Sequence, residues 1–407
     1  MSRKFKLMEV FGIELEYMVV DQKSLNVKPI ADQLFKVVTG HVANEVNNPR
    51  IDWSNELVLH VVEFKNNKPE PKLNPLISLF QDEVKRANAS LQNMGCKLLP
   101  TAMHPWMNPE TETQLWPHEN NEIYRSYDRI FSCKGHGWSN LQSMHINISF
   151  DTDAEFRKLH SAIRFILPLV PALSSSSPIY ENEIRNDKSS RLRFYLQNQK
   201  RIPSIIGDAV PDVIVSEAEY QEKVLQPIYD DIKPFDTYGV LQEEWLNSRG
   251  AIPKFERGCI EIRLADLQEA PFVDIAIADF WIKALRMLVN EQWLNHFEIE
   301  SFATKDLRDI LDKSVKEAEK AVITNSKYLS CFGFKQEATT SMLLQELFTK
   351  LRYSEEEQDL KKTMEKIFSH GSLSTRILRS LVEQKNSLHS IYEKLSVCLN
   401  QGVFFEG

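Results

Sequence analysis

The chain has 407 residues, 42% of them hydrophobic, and a formal net charge of −8. That supplies enough apolar material for a large core and one or more domains, while the acidic balance excludes the basic footprint of a nucleic-acid-binding protein. Five cysteines (Cys96, Cys133, Cys259, Cys331 and Cys398) are odd in number and scattered, with neither zinc-ligand spacing nor a disulfide framework.

The basic start (Arg3, Lys4, Lys6) runs into Glu9, Glu14 and Glu16, so no apolar signal core is expected and a reducing cytoplasm is the expected compartment. The first predicted element is a strand over Val10–Asp21. Side chains alternate along a strand, so Phe11, Ile13, Leu15, Tyr17 and Val19 share one face and Glu14, Glu16, Met18 and Val20 the other. Two carboxylates two positions apart stand about 6.5–7 Å from one another at Cα, which suits one divalent cation or two neighbouring ones. A solvated strand face is the plainer reading, but Met18 and Val20 continue that face as apolar residues and argue against free solvent.

The run Asn55–Phe64 brings Glu56 and Glu63. Their odd separation puts them on opposite faces of an unbroken strand, so a bulge or loop must intervene for both to reach one site. Glu63 is the better placed, because it ends the Leu57, Leu59, Val61 row. His104, before Pro105, reads equally as structural or as substrate-lining. Over Ser143–Phe150, Met144, Ile146, Ile148 and Phe150 form an apolar face and Ser143, His145, Asn147 and Ser149 a polar one. The most apolar stretch, Phe165–Leu173, is short and carries Pro168 and Pro171, so it cannot span a bilayer. Four serines, Ser174–Ser177, precede Pro178 and read as a turn or as a pocket wall.

Over Gly258–Asp266, Ile260, Ile262 and Leu264 are one face and Glu261 and Arg263 the other. An exposed acid–base pair is worth little; a metal ligand beside an Arg whose planar fork grips an anionic oxygen is the functional reading. After Asp274 apolar residues recur at three- and four-residue steps, over Phe280–Phe297, Leu307–Ile323, Thr339–Leu351, Ser354–Phe368 and Ser374–Leu399. The architecture expected is α+β, with a catalytic region over 1–280 and a helical region over 281–407 packed on it. The apolar stripes of those helices need a covering surface, either the catalytic region or a second subunit in a homo-oligomer.

In this order the segments resemble glutamate–cysteine ligase family 2 (GCS2). Phe11–Asp21 resembles its opening Gly-x-Glu-x-Glu strand, and Glu56 to Glu63 its Glu-x6-Glu element. Thr101–Trp106 is similar to a His-Pro-Phe element, Ser143–Asn147 to Thr-His-Val-His, and Ala172–Glu181 to Ala-Leu-Ser-x-x-Ser-Pro-Phe-Trp-Glu. Ser189–Arg191 falls at a Ser-x-Arg, and Gly258–Asp266 resembles Gly-Thr-x-Glu-x-Arg-x-x-Asp. The departures are Asn147 for the second His, Met144 before the first, and Glu183 where an Arg is expected, with Arg185 two residues on.

The resemblance implies a glutamine-synthetase-like α+β fold with a curved, largely antiparallel sheet and flanking helices. It implies ATP with Mg²⁺, a mixed Glu/His set also accepting Mn²⁺, small amino-acid or amine substrates, and no nucleic-acid or membrane partner. It assigns Glu14, Glu16, Glu56, Glu63, His145 and Glu261 to metal and Arg263 and Arg191 to the charge on the transferring phosphoryl group. Arg249 or Arg257 would bind the substrate carboxylate, and Ser174, Ser177 and His104 would line its pocket. The implied reaction is amide formation through an acyl phosphate, with glutamate and cysteine as the family's pair. Two alternatives are a ligase for another amino acid and amine, and a retired ligase scaffold with a binding or regulatory role.

Overall fold

The structure, a computed structural model, describes residues 5–407; Arg3 and Lys4 lie outside the described residues. Strand β1 (Phe11–Asp21) forms where the alternation requires it, followed by β2 (Glu45–Val46), β3 (Ile51–Asn55), β4 (Val61–Asn66), β5 (Cys96–Leu99) and β6 (Ser143–Ser149). A separate hairpin pairs β7 (Ile179–Tyr180) with β8 (Glu183–Ile184), and β9 (Ala251–Lys254) and β10 (Cys259–Asp266) complete the main sheet. That sheet has eight strands in the order β2-β3-β4-β1-β6-β10-β9, with β5 pairing the end of β1 over Met18–Asp21. Its pairings are antiparallel, so the α+β class with an antiparallel sheet is what the chain adopts.

One sheet face is apolar. Phe11, Ile13, Leu15, Tyr17 and Val19 are buried there in one continuous core. The helix Asn74–Gln92 covers β3, β4 and β5, burying Leu76, Phe80, Val84, Ala87 and Leu91 at the three- and four-residue steps of a single helix face. Behind it lies the helix Pro271–Val289, packed also on Asp153–Ile166 and Gln358–His370. Pro271 sits in its first turn, where a missing N–H costs nothing. Being buried nearly all round, this helix shows no amphipathic phase, which is why the sequence pattern places its start at Phe280. It also carries the chain without a break through position 280, where the pattern puts a boundary.

Beyond that helix the chain is helical apart from the short pair Val322–Ile323 and Ala338–Thr339. The expected helix over Ser374–Leu399 is two helices, Leu373–Val382 and Leu388–Gln401. The polar link between them turns through Lys385 at φ 57°, and the Ser387 side chain caps the second helix by accepting from the Ser390 N–H. A wholly buried ion pair between Arg376 and Glu269 fastens this region to the segment after β10. Arg376 also donates to the Phe405 carbonyl at 2.6 Å, which ties down the C-terminal residues. Among the described residues no helix is long and apolar enough to cross a membrane.

Candidate active site

The other face of the sheet carries the acids. Antiparallel register sets Glu14 opposite His145, Glu16 opposite Glu63, and Glu261 opposite Asn147. Directly opposed residues point to the same side, so carboxylates distant in sequence meet on one surface. Glu56 joins them because the run Asn55–Phe64 is not one strand. β3 ends at Asn55, residues 56–60 form a loop closed by a bond from the Val61 N–H to the Val58 carbonyl (3.2 Å), and β4 begins at Val61.

Ligand atoms of Glu14, Glu63 and His145 lie within 4.8 Å of one another, as do those of Glu16, Glu56 and Glu63. This donor set, carboxylate oxygens with a single imidazole, fits a hard divalent cation such as Mg²⁺ and also Mn²⁺. Gly12 keeps the face open. A Cβ there would meet the Asn147 Cβ at 3.2 Å, and Asn147 donates to Glu14 at 3.1 Å.

Crowding acids out of water shifts their titration. Burial, followed by the charges of Glu16 and Glu63, pushes Glu56 far above the usual carboxylate range. Burial and Glu14 push Glu63 up to about 7, against the pull of Lys65. Burial acts on Glu14 in the same sense. There, however, the hydrogen bond with His145 Nδ1 (3.0 Å) and the charges of Lys254, His145 and Lys65 outweigh it and hold Glu14 well below its ordinary value. Burial would lower His145, yet the Glu14 bond and the charges of Glu261 and Glu16 raise it. Ser143 completes the network. Its N–H and Oγ–H donate to Glu16 Oε2 at 2.6 and 2.9 Å, and its Oγ lies 2.9 Å from His145 Nε2.

Two cavities open on this surface and meet at Glu16, Glu56, His145 and Arg263. The larger, about 780 Å³, extends past Glu14, Glu63 and Glu261 to Lys65, Lys254 and Arg257. The smaller, about 440 Å³, is walled by apolar and aromatic side chains, with Arg191, Gln199 and Ser248 among its polar lining.

Glu261 faces the larger cavity but stands outside both ligand clusters, its carboxylate engaged by Lys254 and by Arg263 Nε at 2.9 Å. Arg191 lines the smaller cavity, donating to the Arg263 carbonyl at 2.8 Å and pairing with Asp266 at 3.3 Å. Arg257 is exposed on the turn between β9 and β10, at the wall of the larger cavity.

Four residues expected at a substrate pocket line neither cavity, because their polar groups are engaged elsewhere. Arg249 donates to the Ser204 carbonyl and Asn247 Oδ1, both at 3.2 Å, and pairs with Asp212 at 3.4 Å. His104 is buried with Nε2 on the Leu25 carbonyl at 2.7 Å. Ser174 Oγ donates within its own helix to the Val170 carbonyl, and Ser177 Oγ donates to Asp266 Oδ2 at 3.0 Å. The serine run is therefore a cradle for Asp266, which receives the Ser176 N–H, Ser177 Oγ and Ser189 Oγ, each at 3.0 Å. Lys65 and Lys254 went unnoticed in the sequence. Lys65 follows Glu63 by two positions in β4 and so shares its face, a signal that strand alternation does contain.

An antiparallel sheet with helices packed on one face is the glutamine-synthetase-like ligase architecture. Within it the chain belongs to glutamate–cysteine ligase family 2 (GCS2), whose sequence profile matches residues 10–394. A protein of Archaeoglobus fulgidus, described only as an uncharacterized protein, is 33% identical over 393 residues, 96% of this chain and 99% of its own length. The crystal structure of glutamate–cysteine ligase from Francisella tularensis in complex with AMP superposes with a TM-score of 0.60 at 15% identity, covering 98% of this chain and 90% of that one. The ligase PafA, in complex with the prokaryotic ubiquitin-like protein Pup, gives 0.53 at 12% identity, covering 97% and 75%. At these identities the two structures share the fold; family and fold together support a ligase.

Proposed function

We propose that the chain is an ATP-dependent carboxylate–amine ligase that forms an amide bond through an acyl phosphate, with an amino acid, glutamate by kinship, as the carboxylate donor. The observation that carries this reading is the junction of the two cavities. A surface of carboxylates whose oxygens are close enough together to share a cation lies there, between a chamber lined by Lys65, Lys254 and Arg257 and a less polar one. Joining a carboxylate to an amine is uphill in water, so the γ-phosphoryl group of ATP first passes to the carboxylate. The amine then attacks the carbonyl carbon, the C–N bond forms, the C–O bond to phosphate breaks, and inorganic phosphate leaves.

Phosphoryl transfer asks the protein for alignment and for compensation of charge. Lys65, Lys254 and Arg257 would face the triphosphate in the larger chamber. Glu14, Glu16, Glu56, Glu63 and His145 would hold Mg²⁺, which when bound supplies positive charge to the phosphate oxygens. Arg263, oriented by Glu261, lies where both chambers meet and would face the transferring phosphoryl group with a planar fork suited to its oxygens. Arg191 is fixed by Asp266 beside it and would orient the donor carboxylate.

The test is metal-dependent ADP release by Glu16→Gln with amino-acid donors and a panel of amines. Glu16 borders both chambers, and its loss should lower turnover by at least about 10²-fold. Turnover equal to wild type would remove the carboxylate surface from the mechanism.

A further inference from the structure

The smaller chamber is built for an apolar body rather than a small polar one. Its wall is made by Tyr124, Tyr127, Trp138, Tyr195 and Trp245. Core tryptophans such as Trp53, Trp116 and Trp281 are fully buried, whereas Trp245 keeps 36% of its surface exposed and Tyr124, Trp138 and Tyr195 are half-buried. Tyr127 ties two of these rings together, with centroids 5.2 Å from Trp138 and 6.0 Å from Trp245. Aromatic surface left uncovered around a cavity is the usual wall of a ligand site for a ring-bearing molecule. At about 440 Å³ the chamber has room for a ring-bearing amine beside the donor carboxylate placed at Arg191.

A second observation gives the ligand its polar end. Gln199 is 2% exposed and lines the chamber, yet among the described residues its Oε1 has no hydrogen-bond partner, its amide N–H being used by Ser248 Oγ at 3.0 Å. A buried acceptor left unpaired is costly, and it calls for an N–H or O–H donor. The donors in the lining without a hydrogen-bond partner, Arg191 Nε and Arg263 Nε, belong to the residues given above to the donor carboxylate and the transferring phosphoryl group.

We infer that the acceptor substrate is a primary amine carrying an aromatic ring. The ring stacks against Tyr127, Trp138 and Trp245, and the nitrogen is directed to Gln199 Oε1 and the junction. This rests on the ligase reading, because the amine nitrogen is the atom that attacks the acyl phosphate. In that step the C–N bond forms, phosphate departs with the C–O bonding pair, and the nitrogen's surplus proton is released to water.

The experiment measures kcat/KM for ADP release with Mg-ATP and glutamate, comparing phenethylamine with methylamine and with cysteine. Calorimetry of phenethylamine binding to the enzyme without nucleotide runs alongside. The aromatic amine should be preferred by at least about tenfold, the value of a good ring–ring contact. Trp245→Ala, at a position exposed enough to leave folding intact, should reduce that preference severalfold and weaken the calorimetric binding. Equal or better turnover of methylamine or cysteine overturns the inference and leaves the ligase reading standing. A preference that survives both Trp245→Ala and Trp138→Ala also overturns it. Absence of ADP release with every amine, together with Trp245-dependent phenethylamine binding, overturns the ligase reading while retaining the aromatic-amine chamber. Absence of both overturns both.

Discussion

Replacing Glu63 by Gln separates what the acidic surface does for function from what it does to stability. Glu63 belongs to both ligand clusters, is 8% exposed, and is pushed up to about 7 by burial and by Glu14. The sign follows from the raised value. The folded chain binds the proton more tightly than the unfolded one, so the stability contribution is complete below about 4.5 and is lost as pH rises through about 7. The distance between those values corresponds to about 3 kcal/mol at pH 8. Glutamine removes the charge and can still accept from Ser54 Oγ, which lies 2.8 Å from Glu63 Oε1. The 3.5 Å pairing of Glu63 with the part-exposed Lys65 is already part of that balance, since the pull of Lys65 opposes the rise. In chelator at pH 8, Glu63→Gln should therefore be more stable than wild type by about 3 kcal/mol, and the gap should largely close by pH 5. Saturating Mg²⁺ should reverse the order, since a ligand at about 1,000 times its dissociation constant stabilises the folded form by about 4.1 kcal/mol and the variant has lost a ligand common to both clusters. Urea denaturation at pH 5, 6.5 and 8, with EDTA and with Mg²⁺, reads all of this. A variant less stable than wild type at pH 8 in EDTA would refute the reasoning.

Three other outcomes follow from particular contacts. Arg263→Lys keeps the charge but loses the planar fork at the junction, so kcat for ADP release should fall about 10²-fold with KM for ATP changing far less. Arg376→Met leaves Glu269 buried and unpaired and should cost about 3–5 kcal/mol in urea denaturation, much of which Glu269→Leu in the same chain should restore. Burial holds His60 neutral, lowering it to about 4 against the Ser139 carbonyl contact. The unfolded chain then takes up the proton first as pH falls below 6.5, so stability is lost toward pH 4. His60→Gln should flatten that acid limb by up to about 3 kcal/mol.

The sequence pattern was legible where one strand carries its own message. The alternation in Phe11–Asp21, Ser143–Ser149 and Cys259–Asp266 names both the buried face and the polar one, and the registers then set those polar faces side by side. Glu56 was legible only as a conflict, since its odd spacing from Glu63 demanded a break that strand periodicity cannot locate. Ser174, Ser177 and His104 lie apart from both cavities for a physical reason. A hydroxyl or imidazole buried on the Val170 carbonyl, on Asp266 or on the Leu25 carbonyl looks, in one dimension, like one that faces a ligand. The aromatic chamber was invisible, because its rings come from four separate local elements and no single segment carries their pattern.

The contrast between the two chambers also explains why Asp266 is so heavily braced. Burial raises it, and Arg191 and three serine contacts pull against that rise, so the fold braces this carboxylate without exposing it. Its partner Arg191 donates in turn to the Arg263 carbonyl. The two guanidinium groups at the smaller chamber are thus each held by a buried acid, Arg191 by Asp266 from behind and Arg263 by Glu261 on the larger cavity's wall. The acid beside each Arg offsets its charge at rest and fixes its geometry, so little reorganisation remains for the moment when negative charge develops between the chambers. Of the carboxylates facing the cavity, Glu56 lacks such bracing: among the described residues it forms no ion pair, whereas Glu14 and Glu16 pair with His145 and Glu63 with Lys65. A surface that strained without cation is the surface that gains most when one binds.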